Sequence, residues 1–338
     1  MQKTARKVWV VAFCVLILAF ILHIWLGASD KITIVDVVRE ILRGRGKDDP
    51  ANAIVWNLRL PRAVEAALVG AILGVAGSAL QTLFRNQLAE PYIVGSSSGA
   101  AIGAALIMVF AVDQNWADRV PLFSIIWAMP VAGFITGMIS LSLVMRLAKR
   151  RGVVETPTLL LAGVVVSTML SSLLSFTLLA SNRDQRIVLR WILGSFDEAF
   201  WSSIGLMALV FAISYVVLYR STQKLNAMSL GEEGALALGV HPVALRRVVL
   251  VCVTAMTSVT VGAVGIIGFV GLVAPHIARR LVGSDLRSTL PLSAVLGSLL
   301  MLAADSIAQR GMQGAGFPVG IVTAIVGAPM LLILLKRR

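Results

Sequence analysis

Residues 248–283 read VVLVCVTAMTSVTVGAVGIIGFVGLVAPHIARRLVG, and the fold turns on whether they cross a membrane once or twice. No Asp, Glu, Lys or Arg occurs between Val248 and Ala278. Such a run can span a hydrocarbon core of roughly 30 Å as a helix rising about 1.5 Å per residue. Two crossings within 36 residues require short helices and a tight break. Gly262, Gly265, Gly268 and Gly271, followed by Pro275, supply a glycine at every third residue for that purpose. Irregular backbone at membrane depth is tolerated only where protein or a water-filled cavity surrounds it. The same glycines therefore read equally as close-packing positions or as a break lining a pathway.

The flanking sequence settles the count. Of 338 residues 58% are hydrophobic and 14% charged, against roughly 25% charged in an average soluble domain. Seven stretches of about 20 or more residues lack any acidic or basic side chain. They are continuously apolar, which favours helices over the alternating strands of a barrel. Spans fall near 8–28, 64–84, 91–112, 120–145, 157–181, 199–219, 288–308 and 317–335, in addition to 248–283. The first is too long for a signal-peptide core of about 7–15 residues and reads as a retained span. With the N-terminus inside, nine spans would place Arg279, Arg280, Arg287 and the tail Lys336, Arg337 and Arg338 outside, against the positive-inside rule. Ten spans place 18 basic and 5 acidic residues in cytoplasmic segments, a balance of +13, and leave 12 of each sign outside. The whole formal charge then lies on one face, and no nucleic-acid surface is needed to explain it.

The expected fold is thus all-α: one polytopic transmembrane domain over residues 1–338, with about ten helices, both termini cytoplasmic and membrane lipid around it. Gly70 with Gly74, the series Gly95, Gly99 and Gly103, and Gly133 with Gly137 have the small-xxx-small spacing that lets helix backbones approach.

Little in the chain suggests bond chemistry. Gly46-Lys47-Asp48 lacks the preceding glycine and following hydroxyl of a P-loop. His23, His241 and His276 have no metal-ligand spacing, and Cys14 and Cys252 lie singly inside apolar runs. Asp305 is the one strong intramembrane acid, so an ion-coupled secondary transporter stands as the alternative to a driven one. Two loops carry more. An outer loop, about 29–62, holds an amphipathic stretch (Ile34, Val37, Val38, Ile41, Leu42) and ends in Arg59-Leu60-Pro61-Arg62. A cytoplasmic loop, about 220–247, contains a short helix ended by Gly239 and followed by Pro242, fit either to dock in a partner's groove or to pack on its own bundle.

Several ordered segments carry a resemblance: Arg59-Leu60-Pro61-Arg62 with Gly70-Ala71; Arg85-Asn86 with Leu88-Ala89-Glu90-Pro91; Gly95 with Ser97-Ser98-Gly99-Ala100; and Leu160-Leu161-Ala162-Gly163-Val164. They continue through Trp191-Ile192-Leu193-Gly194-Ser195, Leu230-Gly231-Glu232, Gly268-Phe269-Val270-Gly271-Leu272-Val273-Ala274-Pro275-His276, Ala304-Asp305 and Pro318-Val319-Gly320. Over nearly its whole length the chain resembles the permease subunits of bacterial ABC importers for ferric siderophores, haem and vitamin B12. The resemblance implies ten helices, a second permease subunit in a homodimer, two ATPase subunits that use ATP and Mg, and an extracytoplasmic binding protein. It implies no cofactor bound by this chain and a cargo that is an iron chelate, haem or a corrinoid. Leu230, Gly231, Glu232, Glu233, Ala235 and Gly239 would form the coupling helix, with Ala235 keeping one face small enough for the ATPase cleft. Arg59 and Arg62 would lie at the outer mouth and meet acidic residues of the binding protein. Three positions depart from the family pattern: Gln87 follows Asn86, Gln309 stands four residues after Asp305, and Gly316 stands two before Pro318.

Overall fold

The structure, a computed structural model, describes residues 2–27, 33–46, 49–110, 125–150, 153–179, 185–311 and 317–336. Gly316 and parts of the outer loop and of the span 120–145 lie outside the described residues. The long helices are α1 (Gln2–Trp25), α4 (Leu60–Leu83), α5 (Ser96–Phe110), α6 (Ile125–Leu147), α7 (Thr156–Leu179), α9 (Trp201–Arg220), α12 (Pro242–Val264), α14 (Leu286–Arg310) and α15 (Val319–Lys336). Shorter ones are α2 (Ile34–Arg43), α3 (Pro50–Ile54), α8 (Gln185–Ile192), α10 (Thr222–Met228), α11 (Glu232–Ala237) and α13 (Val270–Val282). A two-residue antiparallel ladder, β1 (Lys149–Arg150) with β2 (Val153–Val154), joins α6 to α7. Seven helices are long and apolar enough to cross a bilayer, with α3 and α4 forming one continuous span. Among the described residues, α5 and α15 are shorter apolar helices, and the 13-residue α13 lies beside them.

α4 and α12 form the centre: 83% and 72% of their most apolar windows are buried, against 17% for α1. Small residues are what allow this. A Cβ on Gly70 would lie 2.2 Å from the Gly297 carbonyl oxygen and one on Gly74 2.1 Å from that of Ser293, so α4 and α14 meet backbone to backbone. Gly133 and Gly137 seat α6 on α12 in the same way, and Gly99 and Gly103 seat α5 on α6. The outer helices expose large apolar side chains instead, among them Val11, Leu18, Leu161, Phe176 and Ile213. In a spanning protein such a surface meets lipid or another transmembrane subunit.

Residues 248–283 form two helices with a break narrower than the glycine spacing suggests. Gly265 (φ +78°) ends α12, and Phe269, in the left-handed region at φ +69°, begins α13. A Cβ on Gly265 would lie 1.8 Å from the Trp191 carbonyl oxygen, so no larger residue fits. Gly262 and Gly271 are helical and serve packing, the first against Met129 and Pro130, the second against Pro91 and Leu73. With 13 residues, α13 is about 20 Å long, short of the hydrocarbon core, which places the break at membrane depth.

Its backbone groups are satisfied by neighbouring segments. Ser195 N–H donates to the Val264 carbonyl (3.0 Å), Ile266 N–H to Ile192 (3.3 Å) and Phe269 N–H to the Glu90 carboxylate (2.9 Å). Val319 N–H donates to Gly194 (2.8 Å), tying α15 to the same segment. Pro275 lies within α13 and has no N–H for the Gly271 carbonyl one turn earlier. Gln81 of α4 takes up that orphaned acceptor through Nε2 at 2.9 Å, and its Oε1 accepts from Arg279.

Candidate functional site

At one end of the bundle the outer loop folds onto itself. Thr33 and Asp36 form a reciprocal capping box at the start of α2. This hydrogen bonding from the Thr33 hydroxyl and N–H, with Arg39 nearby, holds the Asp36 carboxyl below its ordinary value. Glu40, buried, accepts from Asn52 Nδ2 at 2.8 Å and from Arg43 at 2.9 Å. α3 then runs through a π-helical turn, Val55–Arg59, straight into α4.

The expectation that Arg59-Leu60-Pro61-Arg62 ends the outer loop is therefore corrected: all four residues are helical. Arg59 is buried, and its Nη1 donates to the Ile24 and Trp25 carbonyls (3.0 and 3.1 Å) at the C-terminus of α1. Arg62 grips Asp305 with two parallel bonds of 2.8 Å and reaches Asp197 with Nη1 at 3.0 Å. The physical reason is desolvation: each guanidinium near the apolar core needs acceptors, and α1, α14 and the segment after α8 supply them.

Asp305 is 0% exposed and accepts four hydrogen bonds, two from Arg62 and one each from His23 Nε2 and Gln309 Nε2, all at 2.8 Å. Gln309, a departure from the family pattern, thus completes the shell of this carboxylate. Asp197 links Arg62 to Arg190, whose Nη2 lies 2.8 Å from it at the rim. A second intramembrane acid escaped the sequence reading: Glu65, one turn along α4 from Arg62, is buried and, among the described residues, accepts from the Ser203 hydroxyl at 3.4 Å. Its position on an apolar helix, three residues after a basic one, was the available signal.

At the opposite end α9 leads through α10 to α11. Gly231 (φ +105°) and Gly239 (φ +74°) turn the backbone on either side of α11, and Pro242 occupies the first turn of α12. Arg85, itself at φ +48°, lies against Gly231. The orientation expected for Ala235 is corrected: it is fully buried and packs into the main core, because only a methyl group lets α11 sit this close to the bundle. The outward face belongs to Leu230, Leu236 and Leu238, which are 69%, 54% and 61% exposed, together with Glu232 and Glu233. Glu232 is held by the buried Arg246 of α12, a pairing not foreseen. Asn226 of α10 bonds Asp285 (2.7 Å) and the Leu286 N–H (3.0 Å), fastening the loop to α14.

Among the described residues no three His, Cys, Asp or Glu side chains gather as metal ligands do. What the arrangement offers is mechanical: a polar clasp at one end, a small protruding helix at the other, and helices in backbone contact between them.

The profile of the FecCD transport family matches residues 15–337. A cobalamin import system permease protein of Halobacterium salinarum is 38% identical over 293 residues, covering 87% of this chain and 76% of that protein. An Fe(3+)-citrate import system permease protein of Bacillus subtilis is 34% identical over 343 residues, covering 99% of this chain and 98% of that protein. A solved structure described as a metal-chelate type ABC transporter in an inward-facing conformation superposes with a TM-score of 0.83 at 28% identity, covering 98% of this chain and all of that one.

Proposed function

The chain belongs to the FecCD transport family, and on that premise we propose that it moves an iron chelate or a corrinoid inward, driven by ATP hydrolysis in separate subunits. It is a multi-pass membrane protein with the type II ABC importer permease fold. In our reading residues 1–338 are one permease domain with both termini cytoplasmic, paired with a second copy. ATP and Mg act in two partner ATPases, and an extracytoplasmic binding protein delivers the cargo. The relatives named for cobalamin and for ferric citrate support this cargo class without choosing within it.

The observation that carries the energy source is the state of the two ends. Asp305, the intramembrane acid that the sequence singled out for a coupling ion, already accepts four hydrogen bonds. α11 and its flanks present three exposed leucines, Leu236 within the helix and Leu230 and Leu238 beside it, next to two carboxylates, one of which Arg246 holds, the form of an element that fits a cleft in a partner. Coupling would work by ATP-dependent closure of the partner around α11, biasing two states of the bundle. Docking of the binding protein falls to the other end. There Arg62 stays 19% exposed beside Asp197 and Arg190, with Arg59 holding α1 behind it. The cargo path is assigned to the exposed hydroxyl stripe of α7, Thr168, Ser171, Ser172 and Ser175. Thr168, Ser172 and Ser175 back-bond to their own helix, which leaves a mildly polar face without unsatisfied groups.

The test is uptake in proteoliposomes. With ATPase and binding-protein subunits present, uptake should require ATP and be unaffected by collapsing proton and sodium gradients. Uptake by the chain alone under an imposed gradient would replace this reading with ion coupling.

A further inference from the structure

Where α6 ends and α12 begins, Ser142, Met145, Arg146 and Lys149 face Val243, Arg246, Arg247 and Leu250 across a cavity of about 310 Å³. Four of these eight residues are cationic and none is acidic. The charges lie at two depths: Arg246 is buried, while Arg146, Lys149 and Arg247 stand exposed around the mouth. Glu232 reaches Arg246 from α11 and is itself mostly exposed, so one cation at the base of the cavity has its counter-charge outside it. A bias of basic residues toward one end is expected of any multi-span protein. That bias does not require them to converge on one cavity, nor to bury an arginine there.

The rest of the lining is apolar. Met145 and Leu250 form a wall that continues into the bilayer-crossing parts of α6 and α12, and Leu143, Leu147, Val248 and Val251 on the same two helices are exposed. A cationic mouth at the end of two spans, opening onto an apolar wall, matches a molecule with a phosphate at one end and an acyl chain at the other. We propose that this cavity binds the headgroup of an anionic phospholipid. Arg146, Lys149, Arg246 and Arg247 would take the phosphate, and the first methylenes would lie along Met145 and Leu250. The site requires that the chain cross a bilayer; it does not depend on the proposed cargo, or on which end faces the cytoplasm.

The probe is phosphatidylglycerol. The full chain, purified and delipidated in detergent, is mixed with equal amounts of phosphatidylglycerol and phosphatidylcholine, and retained lipid is read by native mass spectrometry. Phosphatidylglycerol should be retained preferentially. R146Q/R247Q should lower that retention on the order of tenfold or more, since each Lys or Arg near anionic lipid contributes roughly a fivefold factor. R146K/R247K should keep it. Ser142→Trp, which leaves every cation in place and fills the apolar side of the cavity, should also lose it. Because Ser142 only back-bonds to Met138, this variant decides the matter if the glutamine variant does not fold. Equal retention of the two lipids, or unchanged preference in Ser142→Trp, overturns the proposal. Displacement of the lipid by millimolar inorganic phosphate would make it a free phosphate site, and displacement by bound ATPase subunits would make it part of the subunit contact; either also overturns it.

Discussion

The two ends of the molecule treat charge in opposite ways. Around Arg62 the buried polar groups answer one another: Asp305, His23, Gln309 and Arg62 form one bonded cluster, and Asp197 and Arg190 extend it to the surface. Around α11 the charges and leucines point away from the bundle, and four cations converge on a cavity without an acidic lining residue. Desolvation explains the first arrangement, since an ion near the apolar core persists only if paired. It does not explain the second, where four cations line one cavity. One end closes its charges on one another, and the other is the end at which we propose lipid and ATPase contacts.

The largest expected effect comes from breaking the closed end. Asp305→Ala would take the buried anion from His23 and leave Arg62 with Asp197 alone, and loss of one partner of a buried pair costs about 3–5 kcal/mol. Unfolding in detergent should show it directly, and R62M/D305A should recover most of the loss. If the single variant is as stable as wild type, the clasp contributes nothing to stability.

A smaller effect is expected between the ends. Gln81→Leu removes the donor to the carbonyl that Pro275 leaves free and unseats Arg279. An unsatisfied buried acceptor costs about 1–3 kcal/mol. The same unfolding measurement should place this variant between wild type and Asp305→Ala; a loss equal to that of Asp305→Ala would mean that stability is not concentrated at the clasp.

The apolar spans, the break after α12, the amphipathic α2 and the short helix before Gly239 were legible because each depends on local periodicity or on glycine and proline chemistry. The pairing of Arg62 with Asp305 joins residues 243 apart in sequence, and no local pattern signals it. An Arg-Leu-Pro-Arg segment at the edge of an apolar run reads as a loop end, yet α3 and a π-helical turn carry the helix through it. Glu65 was counted among the 12 acidic residues of the outer segments for the same reason. Ala235 was assigned to the wrong face because a six-residue helix has too few turns for its apolar stripe to reveal which side is inward. Its neighbours Leu236 and Leu238 are the exposed ones. Of the glycines at 262, 265, 268 and 271, spacing alone did not separate the two in the break from the two that pack.

The smallest effect is at the edge of the closed end. Asp36 has its carboxyl pKa depressed in the folded chain, chiefly by the Thr33 hydroxyl. Its contribution is therefore present above the ordinary Asp value of about 3.9 and is lost as pH falls through the lower folded value. Amide exchange of residues 34–43, corrected for intrinsic rates, should accelerate over that acidic window in wild type and lack the step in Asp36→Asn. An identical profile in both would mean that the capping box does not hold α2.

The central claim is that α11 transmits ATP hydrolysis through the exposed leucines on and beside it. L236E/L238E changes only outward side chains, so the fold and the clasp should be unaffected. Co-purification of the ATPase subunits and hydrolysis stimulated by the binding protein are the quantities to measure. The account predicts that both fall severely, with unfolding unchanged, whereas wild-type association, stimulation and uptake in this variant would contradict it.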